Sequence, residues 1–212
     1  MTNATDTIFQ IIILLMSVVI HEVSHGAMAY TLGDKTAKYH GRLTLNPIPH
    51  LDPFGSILLP LLLIMTNSPF LIGWAKPVPY NPYNLRNQKW GPALVGFAGP
   101  LSNLIIAIVF GLLIRVANLG VFTFIPLATL QAFGTIAANI TFINIILAVF
   151  NLVPIPPLDG SKVLAAIVPY RFADALLRFE SMGWVLLIVF IFFFSWVISP
   201  ISTAIFHLIT GL

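Results

Sequence analysis

The sequence predicts an all-α multi-pass membrane protein: one membrane-embedded domain over residues 1–212, with about four to six transmembrane helices and one small re-entrant β element. Three observations carry this. Of the 212 residues, 58% are hydrophobic and 8% are charged, whereas a soluble domain carries about a quarter charged residues. The charges are also segregated: no Asp, Glu, Lys or Arg occurs from Phe54 to Ala75, Trp90 to Ile114, Val116 to Leu158 or Ser181 to Leu212. Each of these stretches exceeds the roughly 20 apolar residues that cross a bilayer. Finally, the polar linkers near 33–55 and 74–92 are short and rich in Pro and Gly, so they leave no room for a soluble domain.

The elements follow in order. The first apolar run extends from about Ile8 to Leu32, with Asp6 or Thr7 as its helix cap. The N-terminus lacks the basic flank and small-residue cleavage site of a signal peptide, so this run is expected to be retained. A connector with Lys35, Lys38 and Arg42 leads to Ser56–Trp74, which is apolar but interrupted by Pro60, Asn67 and Pro69. Within that connector, 41–47 (GRLTLNP) alternates apolar and polar residues and predicts one short strand. A second connector holds Lys76, Arg86 and Lys89. Long helices are predicted at about Pro92–Leu119 and Thr129–Val153. After a turn with Asp159 comes an amphipathic stretch, 162–180, and the last apolar run is about Met182–Leu212, interrupted by Pro200.

Positive residues mark the cytoplasmic side of a membrane protein. With the start outside, Lys35, Lys38 and Arg42 lie inside. Lys76, Arg86 and Lys89 belong inside too, which conflicts with a full crossing by 56–74. A re-entrant path resolves the conflict, because irregular backbone is tolerated at membrane depth where protein shields it. The alternative is a true span with a local failure of the charge rule. The remaining segments alternate, placing Lys162, Arg171 and Arg178 inside. Ten basic residues spread over short loops, with a net charge of +3, make no phosphate-tracking stripe, so nucleic acid is not an expected partner. Cysteine is absent, which removes disulfides, thiolate metal sites and a cysteine nucleophile from consideration.

The first helix contains His21-Glu22-Val23-Ser24-His25. Histidines at i and i+4 lie about 40° apart on one helical face, so both imidazoles can meet one ion. Glu22 can reach a water at an open position on that ion and take its proton. Ionisable groups inside an apolar span are costly and mark function. The third ligand comes from among His40, His50, Asp52, Asp159, Asp174, Glu180 and His207. The prolines of Pro154-Ile155-Pro156-Pro157-Leu158-Asp159 stop a helix and present carbonyls and one carboxylate at membrane depth, which singles out Asp159. Depth agrees: His21 lies about 13 residues, or ~20 Å, from the outer end of its helix, and Asp159 follows a helix running inward. The plainer role for Asp159 is a turn or cap residue.

HEVSH in an apolar helix, followed by AGPLSN (98–103) and NLVPIPPLDG (151–160), resembles the site-2 protease family of intramembrane zinc metalloproteases over most of the chain. LTLNPIPHLDPFG followed by GWAKPVPYNP resembles its compact subgroup, without PDZ or CBS domains. The resemblance implies His21, His25 and Asp159 as ligands of one catalytic zinc ion, and Glu22 as the catalytic base. It implies Asn151 as the residue that positions the substrate carbonyl or stabilises its oxyanion. The substrate would be a membrane protein with a transmembrane segment, and the enzyme would lie in the lipid bilayer of the cell membrane with its active site toward the cytoplasm.

Other residues have two readings each. Asn151 has the chemistry of an oxyanion donor, or it makes an interhelical hydrogen bond as Asn139, Thr141 and Asn144 can. Asn103 stands beside the close-packing Gly96, Gly99 and Ser102, as glue or as part of the site. The strand at 41–47 either receives an extended substrate by strand addition or is a connector. His50 and Asp52 either orient a ligand or shape a turn. His40 and His207 are incidental, and Phe192, Phe193, Phe194 and Trp196 face lipid or pack. The rival function is a membrane zinc transporter or metal sensor, for which two His and an Asp form a transport site. Such a site needs no adjacent Glu, and three ligands with an open position suit hydrolysis.

Overall fold

The computed structural model describes residues 4–66, 74–122, 124–169, 172–173 and 183–212. Among them there are seven α-helices and no strand. Asn67, Pro69, Arg171, Asp174, Arg178, Glu180 and Met182 lie outside the described residues, as do the side chains of Phe192, Phe193, Phe194 and Trp196.

Helix α1 (Ala4–Thr31) is the first apolar run. It stops where Gly33 takes φ +115°, a left-handed conformation that costs glycine nothing. A side chain there would also meet the Asn84 carbonyl at 3.2 Å. Buried Asp34 then ties the two basic connectors together. Its Oδ1 accepts from the Thr36 hydroxyl (2.6 Å) and the Asn84 amide (2.9 Å), and its Oδ2 from the Asn81 N–H (2.7 Å). A short helix, α2 (Thr36–Tyr39), follows.

The strand predicted over 41–47 does not form; the segment is a series of turns and bends. Its polar side chains take the backbone groups a ladder would need. The Asn46 N–H donates to Thr44 Oγ1 (3.1 Å), the Ile48 N–H to Asn46 Oδ1 (3.1 Å), and His50 Nε2 pairs with the Thr44 carbonyl (2.9 Å). Such local bonds compete directly with sheet pairing, and alternation in sequence does not reveal them.

Asp52 accepts from the Phe54 and Gly55 N–H groups and so caps a wide helical turn, Pro53–Leu58, which continues into α3 (Leu59–Met65). Pro60 stands at the junction of that turn with α3, where it has no N–H to give the ladder. The Trp74 N–H donates to the Gly55 carbonyl (3.2 Å), and Ser56 Oγ donates to the Trp74 carbonyl (2.8 Å). Gly55 and Ser56 therefore meet Trp74.

Helix α4 (Gly91–Asn118) begins after Asn87, whose Oδ1 accepts the Lys89 and Trp90 N–H groups. Pro100 within it removes one rung of the ladder. Helix α5 (Leu127–Asn151) runs back and ends before the proline-rich turn. Helix α6 (Asp159–Ile167) covers only the start of the predicted amphipathic stretch, because Val168 turns extended ahead of Pro169. Helix α7 spans Gly183–Thr210. At the centre is α4, packed against α1, α5, α6 and α7. Thr7–Thr31, Gly91–Asn118 and Leu127–Asn151 are the described segments long and apolar enough to cross a membrane.

Candidate metal centre

On α1, residues 17, 21 and 25 share one face, and it points at the face of α4 that carries Val95, Gly99 and Asn103. The rings of His21 and His25 meet edge to face, with centroids 4.6 Å apart. Their Nε2 atoms are 3.0 Å apart. The turn after α5 brings Asp159, the first residue of α6, across to them, with Oδ2 3.1 Å from each Nε2. Two imidazole nitrogens and one carboxylate oxygen thus form a nearly equilateral triangle. All three residues are buried.

The other polar atom of each is already engaged. His25 Nδ1 donates to the Val95 carbonyl (2.6 Å). A carbonyl only accepts, so the proton of the neutral ring is on Nδ1 and the Nε2 lone pair faces the triangle. His21 Nδ1 lies 2.6 Å from Asn103 Oδ1. Asp159 Oδ1 accepts from Lys162 Nζ at 3.0 Å. Buried acceptors facing one another are costly unless something positive lies between them. A single proton would be split between two acceptors, whereas a divalent cation satisfies all three at once. In tetrahedral zinc sites ligands lie ~2.0–2.2 Å from the ion, hence ~3.3 Å or a little more from each other. The observed triangle is only slightly tighter, so the residues present fit such an ion.

Close approach of α4 is what encloses the triangle. A Cβ on Gly99 would stand 2.5 Å from His25 Nε2 and 2.6 Å from His21 Cε1. Glu22 is anchored differently: its Oε2 accepts the Val78 N–H at 2.8 Å. One of its oxygens lies within 4.8 Å of a ring nitrogen of each histidine. Val78 sits between Pro77 and Pro79, which have no N–H to offer. That segment is fixed by Arg42 Nη2, which donates to the Lys76 carbonyl (2.6 Å), and by the Lys76 N–H, which donates to the His50 carbonyl (2.9 Å).

Of the residues singled out in the sequence, His21, Glu22, His25 and Asp159 come together, and Asn103 joins them at His21 Nδ1. Asn151 ends α5 with its amide donating to the Leu147 carbonyl of its own helix (2.9 Å). Asp52 caps the turn before α3, His50 pairs with Thr44 in the connector, and His207 Nδ1 pairs with the Leu212 carbonyl near the C-terminus. His40 is exposed. Sequence reasoning missed Lys162 and the Val78 amide. Lys162 was within reach, since a cation three residues after Asp159 on a helix lies beside it. The Val78 contact joins residues 56 positions apart, and no local pattern announces it.

A cation-fitting donor set with a separately held carboxylate, among helices apolar enough for a bilayer, is that of a metal-dependent hydrolase built into a membrane. The comparisons with known proteins agree. Residues 119–195 match peptidase family M50. YwhC of Bacillus subtilis, named a candidate zinc metalloprotease, is 38% identical over 183 residues, which is 85% of this chain and 78% of that protein. Two proteins named Rip2, with the same description, are also similar. That of Mycolicibacterium smegmatis is 29% identical over 82% of this chain and 63% of its own length. That of Mycobacterium tuberculosis is 33% identical over 71% of this chain and 53% of its own length. No solved structure matches the chain. The chain belongs to peptidase family M50, the site-2 proteases, and with it to the metalloendopeptidases.

Proposed function

We propose that this protein is an intramembrane zinc metalloprotease that hydrolyses peptide bonds within or near transmembrane segments of other membrane proteins. The observation that carries this is the triangle of His21 Nε2, His25 Nε2 and Asp159 Oδ2, with sides of 3.0–3.1 Å. These three atoms would hold one zinc ion. When bound, zinc supplies the Lewis acidity that makes water a nucleophile near neutral pH. The names of the M50 relatives support zinc as the ion.

Each remaining part is played by a side chain. Glu22, held through Oε2 by the Val78 amide, presents its other oxygen to take a proton from the attacking water and return it to the leaving amine. Asn151 assists at the substrate carbonyl once its amide exchanges Leu147 for the substrate. Lys162 keeps Asp159 Oδ1 occupied, so Asp159 offers the ion one oxygen. Peptide bonds in a helix are enclosed by their own ladder, so the substrate unwinds locally before attack. The fold lies in the cell membrane with four or more spans, 56–74 entering as a hairpin and the metal end facing the cytoplasm.

The test is a single exchange in the full chain, Glu22→Gln. The variant should retain one zinc per chain and lose at least ~100-fold in cleavage of a model transmembrane substrate, the lower range for a general base. Undiminished cleavage, or zinc transport that persists in the variant without any cleavage by the wild type, would reject the protease reading.

A further inference from the structure

Behind His21 lies a set of buried amides whose orientation is determinate, and from it we infer that Asn103 is a positioning residue. Its carboxamide oxygen holds His21 in the tautomer and ring orientation that turn Nε2 toward His25 and Asp159, and Asn144 fixes that carboxamide in turn. This inference rests on the ligand reading given above.

The assignment begins at the backbone. Asn144 Nδ2 lies 2.8 Å from the Ile140 carbonyl and 2.9 Å from Ser17 Oγ. A carbonyl only accepts, so the amino group of Asn144 faces Ile140, and its oxygen faces the other way. That oxygen lies 2.7 Å from Asn103 Nδ2, whose second hydrogen is directed at the Ser17 carbonyl at 3.3 Å. Asn103 therefore has its amino group committed to two acceptors, and only its oxygen remains for His21 Nδ1 at 2.6 Å. A reversed Asn103 would set its oxygen against two other oxygens in a fully buried place. Hence His21 is the donor at Nδ1, and the Nε2 lone pair of the neutral ring points at the triangle.

Burial makes this binding on the molecule: Asn103 and Asn144 have no exposed surface and Ser17 has almost none. Three helices contribute, α1 through Ser17 and His21, α4 through Asn103, and α5 through Asn144. The two histidines are thus oriented by different means. His25 uses the Val95 backbone carbonyl of α4, which no substitution removes, while His21 depends on a side-chain relay that a substitution can break. Metal-bound histidines generally donate their second N–H to such an acceptor, and losing it costs ~10–100-fold in affinity or activity.

The experiment measures zinc affinity of the detergent-solubilised full chain by chelator competition, together with the Tm of the zinc-free and zinc-loaded forms. Asn103→Leu should bind zinc ~10–100-fold more weakly. Asn103→Asp keeps an acceptor for Nδ1–H and should lose less zinc affinity than Asn103→Leu, while its second oxygen, set against Asn144 Oδ1 and the Ser17 carbonyl, should lower the Tm of both forms. Asn144→Leu touches no ligand yet should also weaken zinc, by less than Asn103→Leu. Interhelical glue alone predicts the opposite split: a lower Tm without zinc and an unchanged zinc affinity in Asn103→Leu, and that result overturns the inference. Should Asn103→Leu not fold, nitrogen-15 histidine spectra of zinc-free wild type decide. His21, assigned by difference from His21→Gln, should carry its proton on Nδ1, and a dominant Nε2–H form overturns the inference. Wild type that takes up no zinc, or His25→Ala that binds it undiminished, rejects the ligand reading and this inference with it.

Discussion

A methyl group is the smallest measure of how closely α4 approaches the two imidazoles. At Gly99 it would lie 2.5 Å from His25 Nε2, and the rings cannot give way without breaking the bonds that orient them to Val95 and Asn103. Overpacking of this kind costs ~1–3 kcal/mol, and taken from the metal-bound geometry that is ~5- to 150-fold in zinc affinity. Gly99→Ala is therefore expected to bind zinc more weakly by such a factor in chelator competition. Gly134 on α5 is the control, because a Cβ there meets nothing within 4 Å. Gly134→Ala should leave zinc affinity unchanged and stabilise the helix by up to ~1 kcal/mol in thermal unfolding. Equal loss of zinc in both variants would show that α4 does not define the site.

At the scale of elements, the connectors are held by Asp34 rather than by secondary structure. Burial pushes its carboxyl upward, but hydrogen bonds from Thr36, Asn84 and the Asn81 N–H outweigh that and hold it below the usual carboxylate range. A carboxyl depressed in the folded state stabilises the fold above its unfolded pKa of about 3.9, and the contribution is lost as pH falls through the folded value. Thermal unfolding followed from pH 7 downward should show stability declining below about pH 4. Asp34→Asn should lower neutral-pH stability by ~1–3 kcal/mol, since one donor is left facing the new amide, and should flatten the acid decline. An unaltered acid decline in Asp34→Asn would assign it to other carboxyls. This scale also shows what the sequence can convey. His21, Glu22 and His25 were legible because one helical turn brings them together, and Asp159 because prolines end a helix just before it. The apolar helices were legible to within a few residues. The strand at 41–47 was misread because alternation is blind to Thr44 and Asn46 bonding their own backbone. The orientation of Asn103 was hidden because it depends on α1, α4 and α5 meeting in space.

For the whole molecule, the remaining question is how charge and path agree. Arg42 grips the Lys76 carbonyl, and Asp34 binds Asn81 and Asn84, so both basic connectors lie on one side. Lys35, Lys38, Arg42, Lys76, Arg86 and Lys89 are all there. Arg115 stands at the opposite end of α4, where its Nη1 lies 3.4 Å from the Leu208 carbonyl of α7. This asymmetry is the ground for the proposed orientation, with the connector side in the cytoplasm, and with Gly55 and Ser56 bonded to Trp74, that proposal needs no crossing by 56–74. The chain contains no cysteine, so single cysteines can report side without background. Tyr39 and Tyr83, 79% and 81% exposed, lie before and after 56–74, whereas Leu119 and Phe124, 75% and 77% exposed, lie between α4 and α5. In intact cells, an impermeant maleimide should label Leu119→Cys and Phe124→Cys but spare Tyr39→Cys and Tyr83→Cys until the membrane is opened. Labelling of Tyr83→Cys alone from outside would mean that 56–74 crosses. Labelling of Tyr39→Cys and Tyr83→Cys together from outside would keep the hairpin and invert the molecule.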